Sequence, residues 1–181
     1  MKYYVVALFD NDSYEIIHPI QRKYSKKFRA NRNSPTPFIA LDVIDSPNIE
    51  KITPVIEKVL KPYKQFKVQL SDNVSICDSL KTLNLEIENR GYIKKIYTAL
   101  TDIFELHGLN VKFSPTEELG LSLATVSNFN KDTKSPANYV ACDESKQEEN
   151  FPTLKVDRLE IWKLTPNKKE MCIKSFPLRH F

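Results

Sequence analysis

The run at 35–43, Pro-Thr-Pro-Phe-Ile-Ala-Leu-Asp-Val, constrains this chain more than any other stretch. Proline fixes φ and offers no amide proton, so the two prolines flanking Thr36 end whatever precedes them. The unbroken apolar and small residues that follow suit a strand buried on both faces. A strand sends alternate side chains to opposite faces. Ile39, Leu41 and Val43 therefore share one face, and Phe38, Ala40 and Asp42 share the other. If the second face lines a groove, that groove receives a ring, a methyl and a carboxylate.

The rest of the chain reads as two similar halves around this strand. Residues 3–9 are tyrosine, valine, leucine and phenylalanine, all strand formers. Asp10-Asn11-Asp12-Ser13 is turn chemistry, with Ser13 placed to cap a helix over 14–29. Ser46 and Pro47 open a second helix with an apolar stripe of Ile52, Val55, Ile56, Val59 and Leu60. Alternation predicts strands at 66–70 and 80–87. The clearest helix spans 92–106, where Ile93, Ile96, Tyr97, Leu100, Ile103 and Phe104 fall at helical spacing. Gly108 can close it in the left-handed conformation. A second proline turn, Phe113-Ser114-Pro115, leads to a strand over 118–126. A polar excursion follows at 127–152, and strands at 154–164 and 170–176 close the chain. Mixed order with short connections predicts an α+β fold. Its two pseudo-twofold halves, each with a sheet, would flank a central groove, with the helices on the outer faces. The length suits a single domain over 1–181, with the excursion at 127–152 as an appendage.

Charge and cysteine usage narrow the function classes. The net charge of +4 permits an anionic partner without demanding one. Arg22, Lys23, Lys26, Lys27, Arg29 and Arg32 read as a solvated helix face and loop. Cys77, Cys142 and Cys172 are far apart, odd in number and contain no CxxC pair. Neither a zinc knuckle nor a disulfide framework is expected, and a reducing compartment fits best. No metal and no cofactor is expected. No stretch reaches the apolar length of a membrane span, so a cytoplasmic protein is expected.

With these residues in place, the chain resembles the 2H phosphoesterases, the superfamily of 2′–5′ RNA ligase-like proteins and cyclic phosphodiesterases. The likeness runs from Tyr3-Tyr4-Val5-Val6-Ala7-Leu8-Phe9, through Pro37-Phe38-Ile39-Ala40-Leu41, to Leu159-Glu160-Ile161-Trp162-Lys163-Leu164 and Phe176-Pro177-Leu178. It implies a bilobal fold whose groove, in active members, receives one His-x-Thr or His-x-Ser motif from each lobe. Two imidazoles titrating near neutrality divide the general base and general acid roles on a cyclic phosphodiester. This chain departs from that pattern. Phe38 stands at the first histidine position and Ala40 at the hydroxyl position. The second motif fits two registers, Pro115-Thr116-Glu117-Glu118-Leu119 or Gly120-Leu121-Ser122-Leu123, and neither contains histidine. The chain's histidines, His18, His107 and His180, read as structural or terminal.

The groove candidates are therefore Phe38, Ala40, Asp42, Thr116, Glu118, Gly120 and Ser122, together with Tyr3 or its neighbour Tyr4. No residue is expected to be catalytic in the ancestral way. The favoured expectation is a catalytically degenerate protein that binds RNA or a nucleotide between its lobes, with Phe38 able to stack on a base. No DNA sequence readout is expected. One alternative is an active phosphodiesterase or ligase-like enzyme that uses Glu118, Asp42 or Ser122. The other is a scaffold that meets a protein partner through 127–152.

Overall fold

The computed structural model describes residues 2–30, 35–45, 49–77, 80–111, 119–126, 152–165 and 169–180. Strand β1 (Lys2–Phe9) leads through α1 (Asn11–Lys27) to β2 (Phe38–Asp45). A short 3-10 turn (Ile49–Lys51) and α2 (Thr53–Leu60) follow, then the hairpin of β3 (Phe66–Cys77) and β4 (Thr82–Ile87). Helix α3 (Gly91–Leu106), β5 (Asn110–Val111), β6 (Gly120–Thr125), β7 (Thr153–Leu164) and β8 (Glu170–Pro177) complete the order.

The main-chain pairing runs β1-β2-β6-β4-β3-β7-β8, with β5 beside β2 and a further pairing between β1 and β7. The path thus returns on itself. One lobe is β2-β1-β7-β8 and the other is β6-β4-β3-β7. They share β7, whose Thr153–Val156 end ladders with β3 while Val156–Trp162 ladders with β1. On the opposite side the lobes meet where β2 and β6 pair at Phe38–Ser122 and Ile39–Leu121. The expected α+β architecture of two halves around a groove is present, and the hydrogen-bond ladder joins the two halves into a ring.

Each connecting helix covers a strand of the opposite lobe. Helix α1 packs on β6 and β7, and α3 packs on β2 and β5. The reason lies in their stripes. Ile93, Ile96, Leu100 and Phe104 of α3 are fully buried, whereas Leu106 on the far side is 80% exposed. Between helices and strands lies the larger core, with Val5, Ala7 and Phe9 of β1, Ile39 and Leu41 of β2, and Leu85, Ile87, Leu121 and Leu123 of the second lobe.

Local chemistry moves several boundaries from where the sequence put them. Asp10, not Ser13, caps α1, accepting the Ser13 amide at 3.0 Å. The Ser13 hydroxyl instead accepts the Lys155 amide at 2.8 Å and pins the helix start to β7. Gln21 Nε2 donates to the Leu123 carbonyl at 2.7 Å and ties the same helix to β6. The second helix begins later than expected, at Thr53, because a 3-10 turn takes up 49–51 and Pro54 suits the first helical turn. Strand β3 continues past the polar Ser71-Asp72-Asn73 to Cys77, since a register irregularity between Leu70 and Val74 carries the ladder around those residues. The excursion expected at 127–152 lies, apart from Pro152, outside the described residues. Among the described residues no helix is long and apolar enough to cross a membrane.

Truncating the stripe of α3 should separate its two faces. Ile96→Ala is expected to cost about 2–5 kcal/mol of stability, and Leu106→Ala within about 0.5 kcal/mol, as read by urea unfolding.

Candidate functional site

The groove face is built where β2 and β6 touch. Phe38 lies directly opposite Ser122. On the first lobe the same face carries Ala40 and Val43 of β2, Val6 and Leu8 of β1, and Trp162 of β7, packed with Cys77. The Phe38 and Trp162 rings meet edge to face at 5.2 Å. Trp162 Nε1 donates to Glu160 Oε2 at 2.6 Å, and Arg158 Nε donates to Glu160 Oε1 at 2.9 Å. Both carboxylate oxygens of Glu160 are thereby engaged by this chain's own donors.

The second lobe supplies a neutral polar cluster. Ser122 Oγ and Thr82 Oγ1 each donate to Asn84 Oδ1 at 2.9 Å, and the two hydroxyls lie 3.4 Å apart. Phe38, Ala40, Thr82, Asn84 and Ser122 are all buried. Above this sealed floor opens a cavity of about 250 Å³ lined by Tyr4, Pro35, Phe38, Leu80, Thr82, Thr125, Leu164 and Thr165. Its lining offers rings, alkyl groups and hydroxyls, and no formal charge. Burial pushes the Tyr4 phenol above its ordinary range, so it stays protonated at neutral pH.

Phe38 and Ala40 pack together in the smaller cluster, away from the helix-facing core, and Phe38 stands opposite Ser122. Of the two stretches offered for the second motif, Gly120-Leu121-Ser122-Leu123 lies within the described residues, and its Leu121 and Ser122 pair with β2. Thr116 and Glu118 lie outside the described residues. Gly120 sits so close to β4 that a Cβ there would come within 2.7 Å of the Leu85 carbonyl oxygen. No side chain of any kind enters the groove from that position with this backbone.

Two candidates lie elsewhere. Tyr3 belongs to the larger, helix-facing core, and it is Tyr4, one residue on, that reaches the groove. Asp42 also turns away from the groove. Val5 pairs with Asp42 while Val6 pairs with Ala40, so Leu41 is an extra residue in the ladder. Such a bulge reverses the alternation beyond it. Asp42 is completely buried on the side of α3, where Thr101 and Glu105 face it. Its Oδ1 accepts the Val43 amide at 2.6 Å. Neither its Oδ2 nor Thr101 Oγ1 makes a well-formed hydrogen bond. Burial, with a smaller contribution from Glu105, pushes the carboxyl up to about 7 against the pull of the Val43 amide and Thr101.

Thr82, Asn84 and Trp162 were not singled out for the site from the sequence. The signal for the first two was present: Thr82 and Asn84 are alternate polar residues inside an otherwise leucine-rich strand. Among the described residues no group of three His, Cys, Asp or Glu side chains is placed to hold a metal ion.

Comparison with solved structures identifies the architecture. LigT of E. coli complexed with 3′-AMP superposes with a TM-score of 0.64 at 11% identity, over 98% of this chain and 97% of that one. TT0787 of Thermus thermophilus matches at 0.61 and 13% identity, over 99% of both chains. The chain has the 2H phosphoesterase fold. Usb1 of Kluyveromyces marxianus shares it at a TM-score of 0.55 and 14% identity, over 98% of both chains. No protein-family profile and no curated protein sequence matches the chain. On the two strands that meet at this seam, positions 38, 40, 120 and 122 hold a ring, a methyl, a hydrogen and a hydroxyl.

Two consequences are measurable. Gly120→Ala is expected to destabilise the protein by about 1–3 kcal/mol in urea unfolding, because β4 must yield to the new methyl. Asp42 keeps a proton when folded that the unfolded chain releases above about pH 4. Folding should therefore become less favourable as pH rises from about 4 to about 7, by on the order of 4 kcal/mol in all. The stability difference between wild type and Asp42→Asn, measured by urea unfolding across that range, should move against the wild type by that order and then level off.

Proposed function

We propose that this protein binds a nucleotide or a short RNA segment in its inter-lobe groove and does not turn over cyclic phosphodiesters. The observation that carries this reading is the set of four motif positions facing across β2 and β6. The ancestral reaction needs a base on one side of the phosphate and an acid on the other. A phenyl ring, a methyl, a hydrogen and a hydroxyl supply neither. Ser122, the one hydroxyl among them, donates to an amide oxygen, which is no general base.

The cavity over these positions favours a base over a phosphate. Tyr4 and Phe38 present aromatic surface, and the hydroxyls of Thr82, Thr125 and Thr165 border it. Aromatic faces stack on bases without reading sequence, and hydroxyls both donate and accept at base edges. The nucleotide class is supported by the structures of LigT complexed with 3′-AMP, with ATP and with NADP+, which share this fold. Asp42, one of the two carboxylates that an enzyme using other groups could recruit, faces α3 and takes no part in the groove.

Calorimetric titration with 3′-AMP should show binding to the wild type. Tyr4→Ala should weaken it by the value of one stacking contact, about 1–3 kcal/mol. Incubation with 2′,3′-cyclic AMP should leave the substrate intact. Reproducible hydrolysis, or a folded wild type that binds no nucleotide at any salt concentration, would refute the proposal.

A further inference from the structure

A second and larger groove, of about 750 Å³, runs between α2 and β8. Its floor is apolar, with Leu60 and Phe176 both buried. Its walls are cationic. Lys58 and Lys61 line it from the end of α2, and Lys174 and Arg179 line it from β8 and the segment just beyond. Among the described residues Glu57 is the only carboxylate in the lining. All four cations are exposed, and among the described residues none of them is held in an ion pair.

The placement of these charges is built into the fold. The Gln65 amide donates to the Arg179 carbonyl at 2.9 Å, and Lys64 bridges Arg179 in parallel, so the chain end is fastened beside the exit of α2. Tyr63, half-buried between the two walls, is braced edge to face against Tyr92 at 5.8 Å. The result is a trough with cations on both sides and an aromatic ring in its lining. Cationic grooves that track a backbone, interleaved with aromatic surface, are how proteins hold single strands without sequence readout. An acidic peptide would match the charge but would leave the ring without a planar partner.

We propose that the α2–β8 groove binds the phosphodiester backbone of single-stranded RNA, with Lys58, Lys61, Lys174 and Arg179 on the phosphates and Tyr63 against a base. The site stands apart from the inter-lobe groove and does not depend on a nucleotide binding there. Four phosphate contacts on a single strand give a log–log salt slope of about −3.

The test is fluorescence anisotropy with a labelled uridine decamer, on the full chain, over a salt series. The triple variant Lys61→Ala, Lys174→Ala, Arg179→Ala is expected to bind at least about tenfold more weakly at low salt, with its slope reduced to about −1. The charge-preserving Lys61→Arg, Lys174→Arg variant should bind like the wild type. Titration of the triple variant with 3′-AMP should be unchanged from wild type, which keeps this site distinct from the inter-lobe one. The proposal is overturned if the triple variant, folded by circular dichroism, binds the decamer as the wild type does. It is equally overturned if its 3′-AMP affinity falls in parallel, or if a glutamate decamer displaces the RNA at matched concentration, the mark of an acidic-peptide site.

Discussion

The geometry of the groove hangs on the contact between β2 and β6, where Phe38 and Ile39 face Ser122 and Leu121. The other, longer ladder that joins the lobes runs through β7, on the other side of the ring. With one shared strand as a spine and one short seam as a clasp, the two motif strands have a single relative placement. The larger core reinforces it, because α1 and α3 each reach across to the opposite lobe. Sliding one lobe against the other would expose the stripes of both helices at once. Phe38 and Ser122 are therefore held opposite each other whether or not they do chemistry.

What those positions hold is a packed interface. The edge-to-face pair of Phe38 and Trp162 gains the usual aromatic contact energy of about 0.5–1.5 kcal/mol beyond its area burial. The Thr82–Asn84–Ser122 cluster satisfies its polar atoms internally, which is the condition for burying such groups at little cost. Active sites commonly leave groups poised and under-satisfied. Here the under-satisfied group is Asp42, buried on the far side of the same strand with an Oδ2 that makes no well-formed hydrogen bond. The carboxyl weakens the seam between β2 and α3 as pH rises and does nothing for the groove.

The outline of this fold was legible in the sequence because its signals are local. The stripe of α3 and the apolar run of β2 can be counted from spacing alone, and both stand where they were expected. The failures share one cause: they depend on which strand lies opposite. Asp42 sits on the wrong face for simple alternation because the extra residue at Leu41 exists only relative to β1. Between Tyr3 and Tyr4, which the sequence left open, it is Tyr4 that borders the groove cavity. Thr82 and Asn84 read as incidental polar residues in a leucine-rich strand, and only the pairing of β4 with β6 sets them beside Ser122. The cap at Asp10 was missed for a different reason. Asp10 and Ser13 are both good caps, and the choice was settled by Lys155, distant in sequence, claiming the serine hydroxyl.

The glycine at 120 has a bearing on what this scaffold can become. With β4 pressed against it, any side chain at this position would meet the Leu85 carbonyl before it reached open space. Position 38 borders a cavity and can exchange one ring for another, whereas position 120 can change only if two strands part. Variation along this seam is therefore lopsided: β2 can trade side chains where it borders the cavity, while β6 is locked at 120 by its neighbour's main chain.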